Sequence, residues 1–63
     1  MSDLPRAIGV PATRALQAAG FDSLEQVAGA SIAELLALHG VGPRAITVLD
    51  EALAAHDLAP LRP

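Results

Sequence analysis

The strongest constraint on the fold is the run from Leu35 to Leu49, where two glycines separate two stretches with helical spacing of apolar residues. Gly40 supplies the backbone freedom for a left-handed helix cap, because a Cβ there would clash. Val41 is expected to place an apolar side chain between the two helices. Gly42 is expected to free the backbone beside the second helix, and Pro43 suits its first position, where no N–H is needed. The run therefore predicts a helix, a tight turn and a second helix.

A degenerate copy of this turn stands near the N-terminus, at Ile8-Gly9-Val10-Pro11. Each copy precedes a predicted helix, and a short pair of helices is predicted between them. The equivalent positions are Gly9 with Gly40, Val10 with Val41, and Pro11 with Gly42. The repeat predicts two hairpins related by a pseudo-twofold axis.

The remaining elements are also predicted to be helical, since no segment alternates apolar and polar residues in the manner of a strand. The fold class is therefore all-α, with four to five short helices. Helices are expected over residues 12–19, 24–28, 32–39 and 43–56. Ser23 with Gln26 and Ser31 with Glu34 have the spacing of capping boxes.

The positions outside these helices have separate predictions. Phe21, the one aromatic residue, is expected in the core. Leu58 is expected to pack back on the last helix, and residues 59–63 are expected to form a frayed tail. Residues 1–63 are predicted to form a single domain, because a chain this short has room for only one core.

Composition narrows the class of protein further. The chain has no cysteine, so it carries no disulfide framework and no thiolate chemistry. A basic-then-apolar signal peptide is not visible, and no apolar stretch approaches the ~20 residues that span a membrane. A soluble, cytoplasmic protein is expected.

The run from Leu35 to Leu49 resembles the helix-hairpin-helix motif, in which an apolar pair, Gly, an apolar residue, Gly, a short gap and Ala follow one another. Without gaps from about Ile8 to Leu58, the sequence is similar to the C-terminal domain of the bacterial RNA polymerase alpha subunit. The resemblance implies a SAM-like fold with a doubled helix-hairpin-helix. It also implies binding to double-stranded DNA, largely without sequence specificity.

In that family the DNA-contacting residues lie at the start of the first helix and at the second hairpin. The principal DNA-binding arginine of the family corresponds to Pro11, and its asparagine corresponds to Arg14. The hairpin glycine, lysine and serine correspond to Gly42, Arg44 and Ala45. The glycine is kept, and the lysine is replaced by another cation. Pro11 lacks the guanidinium of the family's arginine, and Ala45 lacks the hydroxyl of its serine.

Independent of the resemblance, a helix N-terminus exposes unpaired N–H groups and a partial positive charge, which suit a phosphate. The expected donors are Gly42, Arg44 and Ala45 on the second hairpin. Ala12 and Thr13 are expected to donate on the first. Candidate nucleic-acid-binding residues are taken from both turns and both helix starts: Gly40, Val41, Gly42, Pro43, Arg44, Ala45, Pro11, Ala12, Thr13 and Arg14.

The net charge of −3 weighs against nucleic-acid binding, for which a basic domain is expected. The distribution of charge answers part of this objection. Arg6, Arg14 and Arg44 lie at or near the two hairpins, whereas the acidic pair at 50–51 and Asp57 lie towards the end of the last helix. An acidic protein with one basic face is predicted.

Catalysis is not expected, because no set of nucleophile, base and orienting group is visible. His39 and His56 lack the convergent partners of a transition-metal site. No cofactor is predicted beyond a monovalent cation, which the resemblance admits on hairpin carbonyls around residues 38–41.

The residues leave other functions open. A protein-interaction or homodimerising module on the same fold, without DNA binding, is favoured by the acidic charge and by Pro11 in place of the family's arginine. Small side chains that would allow close helix approach stand at alanines 15, 18, 19, 52, 54 and 55. A third alternative is a natural or designed fragment that folds and does nothing more.

Overall fold

The computed structural model describes residues 2–63, and over these residues the chain is all-helical, as predicted. A 3₁₀ turn over Arg6–Ile8 precedes four helices. The helices are α1 (Val10–Ala18), α2 (Leu24–Val27), α3 (Ile32–Leu36) and α4 (Pro43–Ala55). None of them, in the part of the chain that the structure describes, is long and apolar enough to cross a membrane.

The core is aliphatic and draws on every helix. Its buried side chains are Ala12, Leu16, Leu24, Val27, Leu35, Val41, Ala45, Leu49, Leu53 and Leu61. Phe21 packs against this core but is only half-buried, so its predicted place in the core is correct in part. Leucine side chains rather than an aromatic ring therefore fill the centre.

The two longer helices end in the same way, with a hydrogen bond from the residue after a left-handed turn back to the last helical turn. After α1, the Phe21 N–H donates to the Leu16 carbonyl at 2.8 Å. After α4, the Leu58 N–H donates to the Leu53 carbonyl at 2.9 Å. This pairing, with an apolar contact between the two side chains, is typical of a Schellman end. It confirms that Leu58 packs back on the last helix.

Helix α3 is shorter than predicted, because it ends at Leu36 instead of His39. The chain tightens there into successive turns: the Leu38 N–H donates to the Leu35 carbonyl, and the Val41 N–H donates to the Leu38 carbonyl. Bonds between residues three apart replace the helical pattern. They turn the chain towards α4 within a few residues.

Two capping boxes were predicted. The serine of the second, Ser31, makes its capping bond, whereas the serine of the first, Ser23, does not. The Glu34 N–H donates to Ser31 Oγ at 3.4 Å. Ser23, by contrast, makes no capping bond, and its buried Oγ has no partner within residues 2–63. Gln26 instead accepts a hydrogen bond from the Asp22 N–H. Ser23 is 2% exposed, so its hydroxyl is enclosed by the core and does not reach the helix end.

The prediction of a frayed tail over residues 59–63 is wrong. Leu61 is buried at 7% exposure, and Arg62 pairs with the segment before α3. The Ile32 N–H donates to the Arg62 carbonyl at 2.8 Å, and the Arg62 N–H donates to the Ala30 carbonyl at 2.8 Å. Burial of one leucine and pairing of otherwise free backbone groups hold this segment in place.

The N-terminal segment is held against α2. The Leu24 N–H donates to the Ser2 carbonyl at 2.9 Å, and the Ser2 N–H donates to Glu25 Oε1 at 2.8 Å. Two hydrogen bonds lower the pKa of the Glu25 carboxyl group. The larger effect comes from the Ser2 N–H, and a smaller one comes from the N–H of Glu25 itself. The ionised carboxylate therefore favours the folded state.

Candidate nucleic-acid interface

The two predicted hairpins lie in direct contact. Gly40, in the turn between α3 and α4, packs on the first turn of α1 with no side chain between them. A Cβ on Gly40 would lie 2.9 Å from the carbonyl oxygen of Pro11 and 3.3 Å from its carbonyl carbon. The structure thus brings together the two segments from which the candidate site was drawn.

In the second hairpin the predicted turn is largely correct. Gly40 has a φ of 102°, Val41 is buried at 6% exposure, and Pro43 is the first residue of α4. Gly42 differs from the prediction, because its φ of −111° and ψ of 179° are accessible to any residue. A Cβ there would meet no atom within 4 Å. The turn requires Gly40 and does not require Gly42.

The first turn of α4 has unpaired donors where the sequence predicts them. The first helical bond runs from the Ile46 N–H to the Gly42 carbonyl, at 3.2 Å. Ahead of it, the N–H groups of Gly42, Arg44 and Ala45 have no acceptor within residues 2–63. The space beside Gly42 is open, so a small anion can approach these groups closely.

In the first hairpin one predicted donor is already paired. The Thr13 N–H donates to the Gly9 carbonyl at 3.1 Å, and Thr13 Oγ1 donates to the same carbonyl at 2.9 Å. Thr13 is therefore not a free donor, because its N–H closes the first helical bond. The N–H groups of Val10 and Ala12 are the unpaired ones in this part of the described chain.

The repeat has a different register from the predicted one. Val10 is 62% exposed and is the first residue of α1, so it is not the counterpart of Val41. Gly9 has a φ of 91° and a ψ of 161°, a region open almost only to glycine, and it is also the N-cap of α1. One residue, Gly9, thus does in the first hairpin what Gly40 and Gly42 divide between them in the second.

Only some of the ten candidate residues can contact a ligand with their side chains. Ala12, Val41 and Ala45 belong to the core, so their possible contribution is limited to the main chain. Residues whose side chains or Cα atoms reach solvent more freely are Gly40, Pro43, Arg44, Pro11 and Arg14. The site is therefore one of backbone donors flanked by arginines.

None of the arginines forms a salt bridge within residues 2–63. Arg6 and Arg14 line an open groove of about 430 Å³ along α1, and no carboxylate is among the lining residues. The other residues of this groove, which we call the α1 groove, are Gly9, Val10, Thr13 and Gln17. Arg62 lies elsewhere and donates through Nε to the Gly29 carbonyl at 2.7 Å.

Sequence reasoning did not identify Val10 or Gln17 as members of a site. The signal was present, because the α1 residues of the groove recur at helical spacing over positions 10, 13, 14 and 17. Residues three, four and seven apart share one face of a helix. The face was not recognised because its side chains differ in chemistry: one is apolar, two are polar and one is charged.

A second, apolar groove of about 340 Å³ lies between α1 and the turn after α3. It is lined by Ala15, Ala18, Ala19, Leu38 and His39. Three of the alanines for which close helix approach was predicted therefore line one surface. His39 belongs to no group of three or more His, Asp or Glu residues in the described chain that could hold a metal ion.

Comparison of the chain with protein-family models, with curated proteins and with solved structures gives no match.

Proposed function

We propose that the protein is a small nucleic-acid-binding domain that contacts DNA phosphates through backbone N–H groups and arginines, largely independent of base sequence. The observation that carries this proposal is the contact between Gly40 and Pro11. It makes neighbours of two helix starts, each with unpaired N–H groups and a nearby exposed arginine. A phosphate backbone presents repeated negative charges, and such a pair of sites can hold more than one of them.

We further propose the doubled helix-hairpin-helix as the fold that presents these groups. Its support is that Gly9 and Gly40 both have positive φ and that glycine caps the start of both α1 and α4. The two helices also end in equivalent turns, at Phe21 and Leu58. Helix α4 is one turn longer than α1.

The chemistry at α4 suits a phosphate because its donors need no side-chain movement. Gly42, Arg44 and Ala45 offer N–H groups at the positive end of a 13-residue helix, and the Arg44 guanidinium is exposed beside them. The acidic pair at 50–51 lies six and seven residues after Arg44, about 9–11 Å along the helix axis, and Asp57 lies past the helix end, about 20 Å away. Their repulsion of a bound phosphate is screened by salt over about 8–10 Å.

Binding is expected to be weak, because the number of engaged phosphates is small. With about two to four contacts, the logarithm of the association constant should fall with the logarithm of salt concentration at a slope of about −0.9 per phosphate. A titration of labelled duplex DNA at low and moderate salt measures this slope. Failure to bind at high micromolar protein, or binding indifferent to salt, contradicts the proposal.

Gly42→Ser gives the sharpest test of the N–H groups. A serine N-cap accepts from the free N–H groups of the first turn, so it should leave the free energy of unfolding equal or raise it by a few tenths of a kcal/mol. The same bond occupies the proposed phosphate donors, so affinity for duplex should fall. Unchanged affinity in this variant contradicts the proposed role of the α4 N-terminus.

The arginines are tested by a charge-matched pair of variants. Arg44→Gln should weaken binding to all sequences alike and make the salt slope shallower by about one phosphate contact. Arg62→Gln changes the net charge equally but removes a residue that bonds to the Gly29 carbonyl, outside both hairpins. It should weaken binding less. Equal losses in the two variants would indicate that only net charge matters.

The apolar groove supports a second candidate function, a homodimerising or protein-interaction module. Its floor of Ala15, Ala18 and Ala19 would let a partner helix approach α1 closely. Sedimentation at rising protein concentration separates the two functions. Self-association that Ala18→Glu abolishes supports the second function, whereas a monomer that binds duplex DNA supports the first.

A further inference from the structure

The α1 groove combines positive charge with an apolar side chain. It has two arginines with no salt-bridge partner among residues 2–63, and no carboxylate is among its lining residues, so it suits a negatively charged ligand. It also has Val10, a large apolar side chain that is 62% exposed. Val10 lines the groove beside both arginines, so the groove suits a ligand that has an apolar part as well as a negative charge.

The groove is continuous with the proposed DNA-binding surface. Gly9 and Val10, at one end of the groove, directly precede Pro11, against which the turn at Gly40 packs. Arg14 lines the groove and is one turn along α1 from Pro11. The groove therefore begins beside the contact between the two hairpins.

We propose that the α1 groove holds one unpaired nucleotide of the bound nucleic acid, an inference that rests on the proposed function. Bases within a duplex are stacked and paired, so they do not present a free face to Val10. An unpaired nucleotide can rotate out of the stack and place its base in a pocket. The volume of about 430 Å³ lies in the range of pockets that hold small organic ligands.

Each lining side chain has a distinct role in this arrangement. Arg6 and Arg14 neutralise the phosphates on either side of the nucleotide, as guanidinium groups bind phosphate in a forked geometry. Val10 covers one face of the base. The Gln17 amide offers a donor and an acceptor to the edge of the base. Thr13 is limited to accepting, because its hydroxyl hydrogen is committed to the Gly9 carbonyl.

The test compares a blunt duplex with the same duplex carrying a short single-stranded overhang, by anisotropy at low salt. The overhang should bind about five-fold more tightly, since contacts to an unpaired base add to those with the backbone. An abasic site in place of the first unpaired base should remove this preference. A 2-aminopurine at that position should change its fluorescence on binding.

Val10→Ser tests the apolar wall and should reduce the preference for the overhang towards one. Leu36→Ser is the matched control, because Leu36 is the other large exposed apolar residue among residues 2–63 and lies outside the groove. It should keep the preference of the wild-type chain. Loss of preference in both variants would contradict a specific role for Val10.

The outcomes separate this inference from the proposed function. Equal affinity for blunt and overhang duplexes, or a preference that survives the abasic site, overturns the nucleotide pocket and leaves phosphate binding intact. Absence of binding to either duplex overturns both. A preference that depends on the base and on Val10 supports the pocket.

Discussion

Gly40 and Pro11 are in direct main-chain contact: a Cβ added to Gly40 would stand 2.9 Å from the Pro11 carbonyl oxygen. This close approach joins the turn before α4 to the first turn of α1, and it is available only to glycine. It also explains why the two glycines of the turn are unequal, since Gly42 has open space around its missing side chain.

Gly40→Ala should destabilise the protein more than Gly42→Ala, the same change at the other glycine of this turn. The left-handed backbone alone costs an alanine about 1–2 kcal/mol, and the contact with Pro11 adds to this. Gly42→Ala, the matched control, should cost no more than about 1 kcal/mol, through weaker capping of α4. Urea denaturation measures both variants. Similar losses at the two positions would contradict the Gly40–Pro11 contact.

Asp57→Gly should stabilise the protein by about 1 kcal/mol. Asp57 has a φ of 56°, where a Cβ is unfavourable, and it directly follows the C-cap of α4, the negative end of the helix dipole. A gain of this size raises the Tm of a domain this small by roughly 4–8 °C. Asp57→Asn, which removes only the charge, should recover part of the gain. A lower Tm for the glycine variant would refute this account.

Ser23→Ala should leave stability unchanged or increase it. A serine at a helix N-cap normally contributes about 1 kcal/mol, so its loss would be expected to destabilise. Here the Ser23 hydroxyl is buried with no hydrogen-bond partner in the described part of the chain, and such a group carries an unrecovered desolvation cost. Ser31→Ala, at the working cap of α3, is the control and should destabilise. Equal losses for the two serines would contradict the difference in their bonding.

The Glu25 carboxyl group should make stability depend on pH on the acid side. Its pKa is lowered in the folded state, chiefly by the hydrogen bond from the Ser2 N–H, so the folded state favours the ionised form. This contribution is fully present above the unfolded pKa of about 4.3 and is lost as pH falls through the lower folded pKa. Glu25→Gln should therefore be less stable than wild type at neutral pH.

The same pair of proteins should converge as the pH falls below the folded pKa of Glu25, because the wild-type group is then neutral as well. Thermal denaturation across the acid range checks this. A constant difference between Glu25→Gln and wild type at every pH would show that the carboxylate charge is not responsible.

Leu61→Ala should destabilise the protein by about 2 kcal/mol, the lower end of the cost of a buried leucine-to-alanine change. Leu61 is buried at 7% exposure and precedes the bridge between Arg62 and Ser31. Leu36→Ala, at an exposed position, is the control and should cost much less. A negligible effect of Leu61→Ala on the unfolding midpoint would instead indicate a frayed tail.

Local signals were sufficient for the best-predicted elements. Helix α4 begins at Pro43 as expected and ends at Ala55, one residue before the predicted end. A proline marks the start of the helix, and a repeating apolar pattern marks the face that it buries. Both signals lie within the helix itself. The unpaired N–H groups at its first turn follow from the same local geometry, because no carbonyl precedes them at helical spacing.

Some errors arose where a distant segment competed with a local preference, and one arose in the register of the repeat. Ser23 and Gln26 have the spacing of a capping box, but the core encloses the Ser23 hydroxyl. Residues 59–63 contain two prolines and look like a tail, but the backbone before α3 pairs with Arg62. The predicted register of the repeat matched Val10 with Val41, which is buried, because sequence spacing cannot show that Gly9 serves as turn and cap together.

The sequence by itself determined that the chain is helical and where its main turn lies, because helix periodicity, glycine and proline act over a few residues. Only the tertiary structure decided that Gly40 meets Pro11, that the α1 groove is bordered by Arg6 and Arg14, and which glycine the turn requires. Those outcomes depend on which atoms lie close together across the fold. Distances between segments far apart in sequence are set by packing, and no local pattern encodes them.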